Sequence, residues 1–219
     1  MPSLKNRRQT FLPAFALVLA VSLALAPEAQ AAGSPMAEVK GLIDEVQDIL
    51  HQRPSQSPAQ RHQRLLLIEQ ASARHIDYRE MARRSLGPTW NTLGKGQQDE
   101  FVHLFSDLLK SAYAGRLDEF VQAKVAYQSE ENSEETAEVR VLILRQNDRV
   151  PVIFRLLKED RWMVYDLVIE GVSLVANYRS QFARVIEGAS YQALVRCLQA
   201  KLQADSCLRA EAGDDEDSD

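Results

Sequence analysis

The chain has 219 residues, a formal net charge of −5 and a hydrophobic share of 45%, which fits one domain with a sizeable core and excludes a chain too charged to fold. No basic face interleaved with aromatic residues is present, so nucleic-acid binding is not expected. Much of the acidity sits at the C-terminus, in Asp214, Asp215, Glu216, Asp217 and Asp219, and residues 206–219 read as a disordered acidic tail.

At the other end, Lys5, Arg7 and Arg8 precede an uncharged apolar stretch over 11–26, shorter than the roughly 20 residues a spanning helix needs. Ala29 and Ala31 then supply small residues for cleavage before Ala32. Residues 1–31 are therefore expected to be a secretory signal peptide and 32–205 a single exported domain. No cysteine lies near the cleavage site, so lipoprotein attachment is not expected. The two cysteines of the chain, Cys197 and Cys207, either pair in an oxidising compartment or stand as separate thiols, and their spacing leaves both open.

Apolar residues three and four apart predict an amphipathic helix over 36–52, ended by Pro54, and a second over 59–73 with Leu65, Leu66, Leu67 and Ile68 on its buried side. Asp77 and Glu80 have capping-box spacing at the head of a short helix stopped by Gly87-Pro88. A longer helix carries Phe101, Leu104, Phe105, Leu108, Leu109 and Tyr113. Strand patterns follow over 121–128, 138–145, 150–158 and 161–170, with hairpin connections at 146–149 and 159–160. Pro151 suggests a strand that begins near an edge or a bulge. Helices over 174–187 and 191–202 close the domain. Helices, then a meander, then helices predict an α+β fold in which a curved antiparallel four-stranded sheet packs against the helices.

Catalytic patterns are sparse. His51, His62, His75 and His103 fall on separate helices without metal-ligand spacing. Asp166 and Glu170, four apart at a strand end, are the one acid–base pair a small cone-shaped enzyme would use; the competing role is bonding backbone groups at the turn into the last helices. The abundant feature is apolar surface on both sheet and helices, and periodicity does not distinguish a solid core from one enclosing a cavity.

Three blocks carry a family resemblance. One is Asp77-Tyr78-Arg79-Glu80-Met81-Ala82-Arg83 continuing through Leu86-Gly87 to Trp90. The second is Phe101, Phe105, Leu108, Leu109 and Tyr113 within 98–113. The third, the most specific, runs from Val150-Pro151-Val152 through Trp162, Val164-Tyr165-Asp166, Glu170-Gly171-Val172-Ser173-Leu174 and Asn177-Tyr178-Arg179-Ser180-Gln181-Phe182. Together they resemble the periplasmic lipid-carrier component of the Mla (maintenance of lipid asymmetry) transport system, also called the toluene-tolerance auxiliary family, over roughly 39–202.

The resemblance implies a periplasmic monomer that is not an enzyme and needs no cofactor or metal. It implies phospholipid cargo held in a hydrophobic cavity between sheet and helices. It also implies two partners: an outer-membrane lipoprotein complex and an inner-membrane ABC transporter with an MCE-domain subunit. Another lipid, such as a hopanoid, would suit the same fold. The expected cavity lining is Val139, Val141, Ile143, Val152, Phe154 and Leu156 on the sheet, with Met81, Leu86, Trp90, Phe101, Phe105 and Leu108 on the helices. Val164, Val168, Val172, Leu174, Val175 and Tyr178 complete it. Arg83, Arg84, Arg140 and Arg155 are candidates to meet a phosphate at the mouth.

Overall fold

Ser34 starts the first helix: its Oγ accepts the Ala37 N–H, and Pro35 occupies a first-turn position where no N–H is needed. The computed structural model describes residues 33–53, 57–114, 117–146 and 148–203, so the expected signal peptide and acidic tail lie outside the described residues. The helices are α1 (Pro35–Gln52), α2 (Pro58–Ser72), α3 (Tyr78–Leu86), α4 (Lys95–Ala114), α5 (Leu174–Gly188) and α6 (Tyr191–Gln203). Between α4 and α5 runs an antiparallel meander of β1 (Lys124–Asn132), β2 (Thr136–Leu144), β3 (Arg149–Lys158), β4 (Trp162–Ile169) and β5 (Val172–Ser173), in that spatial order. The α+β class is as expected, with a two-residue fifth strand added.

Local chemistry modifies three sequence expectations. Asp77 caps α3 by accepting the Glu80 N–H at 2.8 Å, but the Glu80 carboxylate turns to Arg83 and Arg84. The Asp77 N–H instead donates to the Val164 carbonyl on β4. The reciprocal capping box belongs to Ser57 and Gln60, at the head of α2. The first strand lies later than 121–128, because Glu130 and Glu131 join it. An edge strand tolerates such charges, since one side of its backbone has no partner strand. Pro151 sits in β3, the central strand, rather than at an edge. Its carbonyl accepts from Glu170, so its missing N–H faces the turn residue beyond the last β3–β4 pair, Val152 with Ile169.

Among the described residues the apolar side chains form two cores. Met81, Ala82, Leu86, Trp90, Phe101, Phe105, Leu108, Val175, Tyr178 and Phe182, with Tyr191, Leu194 and Leu198, make an all-helical core among α3 to α6. At its centre Phe101 and Phe105 meet Phe182 edge-on at 5.7 and 6.1 Å, and Tyr178 edges onto Phe105 at 5.5 Å. The second core joins Val39 and Leu42 of α1 to Val139, Val141, Phe154, Leu156, Trp162 and Val164 on the sheet. Cys197 on α6 is disulfide-bonded; the other cysteine of the chain, Cys207, lies outside the described residues.

Candidate functional site

Alternation along the strands gives the sheet one apolar face, and helix α1 covers only part of it. Register places Val125, Ile143 and Val150 in one row, with Val152 beside Ile169 and Phe154 beside Leu167. These rows run from one end of the sheet to its middle. Val139, the Cα partner of Phe154, is fully buried with Leu156 and Val164 in the core that holds Val39 of α1. Val125, Ile143, Val150, Val152, Phe154, Leu167 and Ile169 front a cavity of about 320 Å³, near the lower bound of the roughly 300–1,000 Å³ usual for ligand pockets. Leu42, Ile43, Val46 and Leu50 of α1 form one wall, since positions four apart stack on one helix face. Leu65 and Ile68 of α2, Met81 of α3, Leu109 of α4, Phe120 and Leu174 complete it.

A β-bulge decides which β4 side chains reach this space. Pairing passes from Arg155 with Asp166 to Leu156 with Val164, so Tyr165 is an extra residue on β4. Past the bulge the parity reverses. Leu167 and Ile169 therefore line the cavity, while Val168 is buried outside the lining. Simple alternation from Val164 predicts Val168 instead; the bulge is a long-range pairing feature with no sequence mark of its own.

Of the expected lining residues, Met81, Ile143, Val152, Phe154 and Leu174 border the cavity. Leu86, Trp90, Phe101, Phe105, Leu108, Val175 and Tyr178 pack in the helical core. The α4 aromatics turn toward α5 and α6 rather than toward the sheet. Val139, Val141, Leu156 and Val164 belong to the core beneath α1. Val172 is 56% exposed beside the β4–β5 turn. The lining from α1 and α2 was missed because both helices read simply as amphipathic, and amphipathicity does not say what the apolar face meets.

His75 and its neighbours hold α1 in place over the sheet. His75 Nδ1 lies 2.7 Å from Glu38 Oε1 on α1. The His75 carbonyl accepts from the Val164 N–H, and the Asp77 N–H donates to the Val164 carbonyl. Met36, in the first turn of α1, donates its N–H to Glu130 of β1 at 2.7 Å, a carboxylate at a helix N-terminus.

The polar side chains of the lining are few. Gln47 donates its amide to the Ala123 carbonyl at 2.9 Å. Glu69 and Ser72 on α2, Tyr78 on α3 and Lys110 on α4 make up the rest. Lys110 Nζ lies 2.8 Å from Glu69 and 2.5 Å from Asp107. Partial burial works against its charge, but the hydrogen bonds to Asp107 and Glu69 prevail and raise its pKa. Burial also pushes the Tyr78 phenol upward; the nearby Glu69 charge adds to this, while Ser72 and Lys110 oppose it.

The arginines expected at the mouth are absent from the lining and are engaged by carboxylates. Arg83 and Arg84 bond Glu80, Arg140 bonds Glu138, and Arg155 bridges Glu138 and Asp166. Asp166 is 2% exposed and accepts from Ser173 Oγ at 2.6 Å and the Val175 N–H at 3.0 Å. It thereby caps the start of α5 together with Ser173, whose Oγ accepts the Ala176 N–H. Glu170 is exposed on the turn, at φ 51. Asp166 thus bonds backbone at the entry to α5, the second of the two roles set out for it. Among the described residues no group of three or more His, Cys, Asp or Glu is placed to hold a metal, and no helix is long and apolar enough to cross a membrane.

A helix-and-sheet fold that encloses an almost wholly apolar cavity defines a class of protein built around a hydrophobic internal site. The sequence matches the family described as MlaC protein over residues 40–200, and the chain belongs to that family. It is similar to the intermembrane phospholipid transport system binding protein MlaC of Haemophilus influenzae, with 23% identity over 121 residues. That match covers 52% of this chain and 56% of the relative, little more than half of that protein's length. The structure is similar to that of the phospholipid-binding protein from Ralstonia solanacearum, solved in complex with a phospholipid. The TM-score is 0.71 at 26% identity, covering 78% of this chain and 98% of the other.

Proposed function

We propose that this protein is a periplasmic phospholipid carrier that catalyses no reaction and holds acyl chain in the cavity between α1, α2 and the sheet. The observation that carries this reading is the apolar cavity itself, in a fold similar to one solved with a phospholipid bound. Burying each methylene gains about 0.8 kcal/mol, so an acyl chain of membrane length represents on the order of 10 kcal/mol against water. A carrier supplying comparable apolar surface brings exchange with a bilayer near balance, and direction then comes from its partners. The proposed partners are an outer-membrane lipoprotein complex and an inner-membrane ABC transporter with an MCE-domain subunit, between which the carrier shuttles lipid and so maintains outer-membrane asymmetry. Cleavage after Ala31 delivers the mature protein to the compartment between them.

The test is native mass spectrometry of protein purified from the periplasm without detergent, followed by lipid extraction. Phospholipid bound at fixed stoichiometry is the expected result. A folded protein of clean apo mass that takes up no lipid from vesicles would overturn the reading.

A further inference from the structure

His75, just beyond α2, joins α1 to β4. Its backbone is fixed, because its carbonyl accepts from the Val164 N–H and the nearby Asp77 N–H donates to the Val164 carbonyl. Its ring faces α1. Nδ1 lies 2.7 Å from Glu38 Oε1. Nε2 is buried without a hydrogen-bond partner among the described residues, 3.5 Å from Glu45 Oε1. Gly41 falls between those two carboxylates along α1, and a Cβ there would stand 3.2 Å from the ring Cε1. The imidazole thus presses on the helix backbone with a carboxylate off each nitrogen.

A neutral imidazole has one N–H and one lone pair, so it donates to one carboxylate and turns its lone pair toward the other. The imidazolium donates from both nitrogens. Arginines also reach these carboxylates: Arg74 bonds Glu45 at 2.5 Å, and Arg161 lies 3.9 Å from Glu38. Their side chains are 58% and 49% exposed, against 10% for His75 and 15% for Glu38. Solvent weakens the arginine pairs, so the ring's charge counts most at Glu38. The other nearby charges are turned elsewhere. Asp77 caps the Glu80 N–H, and Lys40 and Asp44 of α1 act on Tyr127 of β1.

The same helix supplies Leu42, Ile43, Val46 and Leu50 to the cavity wall. We infer that His75 is a proton-operated latch on the cavity. The doubly protonated ring holds α1 through Glu38 and Glu45, and loss of one proton loosens that wall and speeds lipid exchange. This rests on the carrier reading and deepens it by naming what regulates access.

The first measurement is independent of lipid. Hydrogen exchange on delipidated mature protein, corrected for the intrinsic effect of pH, compares α1 with α5, which carries no histidine. It is run at about pH 5 and about pH 8, either side of the range in which a histidine changes charge. Protection of α1 is expected to fall about threefold to tenfold at the higher pH, the size of one partly exposed charge-assisted hydrogen bond, with α5 unchanged. His75→Gln keeps a donor but does not titrate, and it removes most of that fall. What remains is the share of exposed His51 in the last turn of α1. Should His75→Gln not fold, Glu38→Gln takes its place and shrinks the fall. Equal α1 protection at both pH values in wild type, or an undiminished fall in the variant, overturns the latch. Transfer of a fluorescent phospholipid to phosphatidylcholine vesicles, whose charge is the same at both values, should quicken by a similar factor in wild type alone. Looser α1 without faster transfer overturns the control of exchange and leaves the carrier reading standing. Protein that takes up no phospholipid overturns the carrier reading, while hydrogen exchange still decides the latch.

Discussion

At the scale of single residues, much of the signature running from Trp162 to Phe182 is explained by a junction. Glu170 and Gly171, at φ 51 and 84, form a two-residue hairpin turn with both central residues left-handed, which suits glycine at the second position. That turn returns the chain so that Ser173 caps α5 and Asp166 receives both the Ser173 hydroxyl and the Val175 N–H. Asp166→Ala strips one cap and leaves buried donors unpaired, so it is expected to destabilise the protein by about 2 kcal/mol in urea unfolding. Glu80 offers a test in pH. Its hydrogen bond to Arg83 lowers the carboxyl below its ordinary value of 4.5; burial opposes this and Arg84 adds to it. A depressed carboxyl stabilises the fold above 4.5, and that contribution is lost as pH falls through the lowered value. Glu80→Gln should therefore flatten the acid limb of a stability–pH curve below about 4.5 and lower the plateau above it. An unchanged acid limb would show that the Arg83 and Arg84 bonds contribute nothing in solution.

Among the elements, α1 divides the sheet. Val39, near its start, is fully buried in one core with Val139, Leu156 and Val164, while Leu42, Val46 and Leu50 further along line the cavity with Ile143, Val152 and Ile169. Two substitutions on one strand should therefore separate. Val139→Ala removes packing and should cost about 2 kcal/mol while lipid still copurifies. Ile143→Trp fills space and should abolish copurifying lipid with stability close to wild type, as read by mass spectrometry and urea unfolding. Loss of lipid in Val139→Ala with retention in Ile143→Trp would place the cargo on the wrong half of the sheet. The helical core is independent of this division. Phe182, wholly buried between Phe101, Phe105 and Tyr178, should cost about 3–5 kcal/mol on replacement by alanine.

For the whole molecule, the consequence of an unfilled interior is a link between cargo and stability. A ligand that binds only the folded state stabilises it in proportion to the logarithm of its concentration over its dissociation constant. Protein stripped of lipid should accordingly melt at lower temperature than protein as purified, and reloading from vesicles should restore the difference. Equal melting temperatures would mean that whatever fills the cavity makes no net favourable contact.

The order of elements, the α+β class and the family were legible in the chain because they rest on local signals. These are 3.6- and 2-residue periodicities, Ser, Asp and Gly at helix ends, and a long run of specific residues from Trp162 onward. The cavity was legible only as an expectation, since an apolar face has the same spacing whether it meets another side chain or a void. Parity placed Ile143, Val152 and Phe154 on the inner face together with Val139 and Leu156. Which of them stay uncovered depends on where α1 crosses, and that is set by the His75–Glu38 contact and by backbone bonds from His75 and Asp77 to Val164, residues nearly 90 positions further along the chain. The bulge at Tyr165 likewise exists only once β3 and β4 are paired. Local sequence determined which faces are apolar, and tertiary packing alone decided which part of those faces remains open, because coverage depends on contacts between elements distant in the chain.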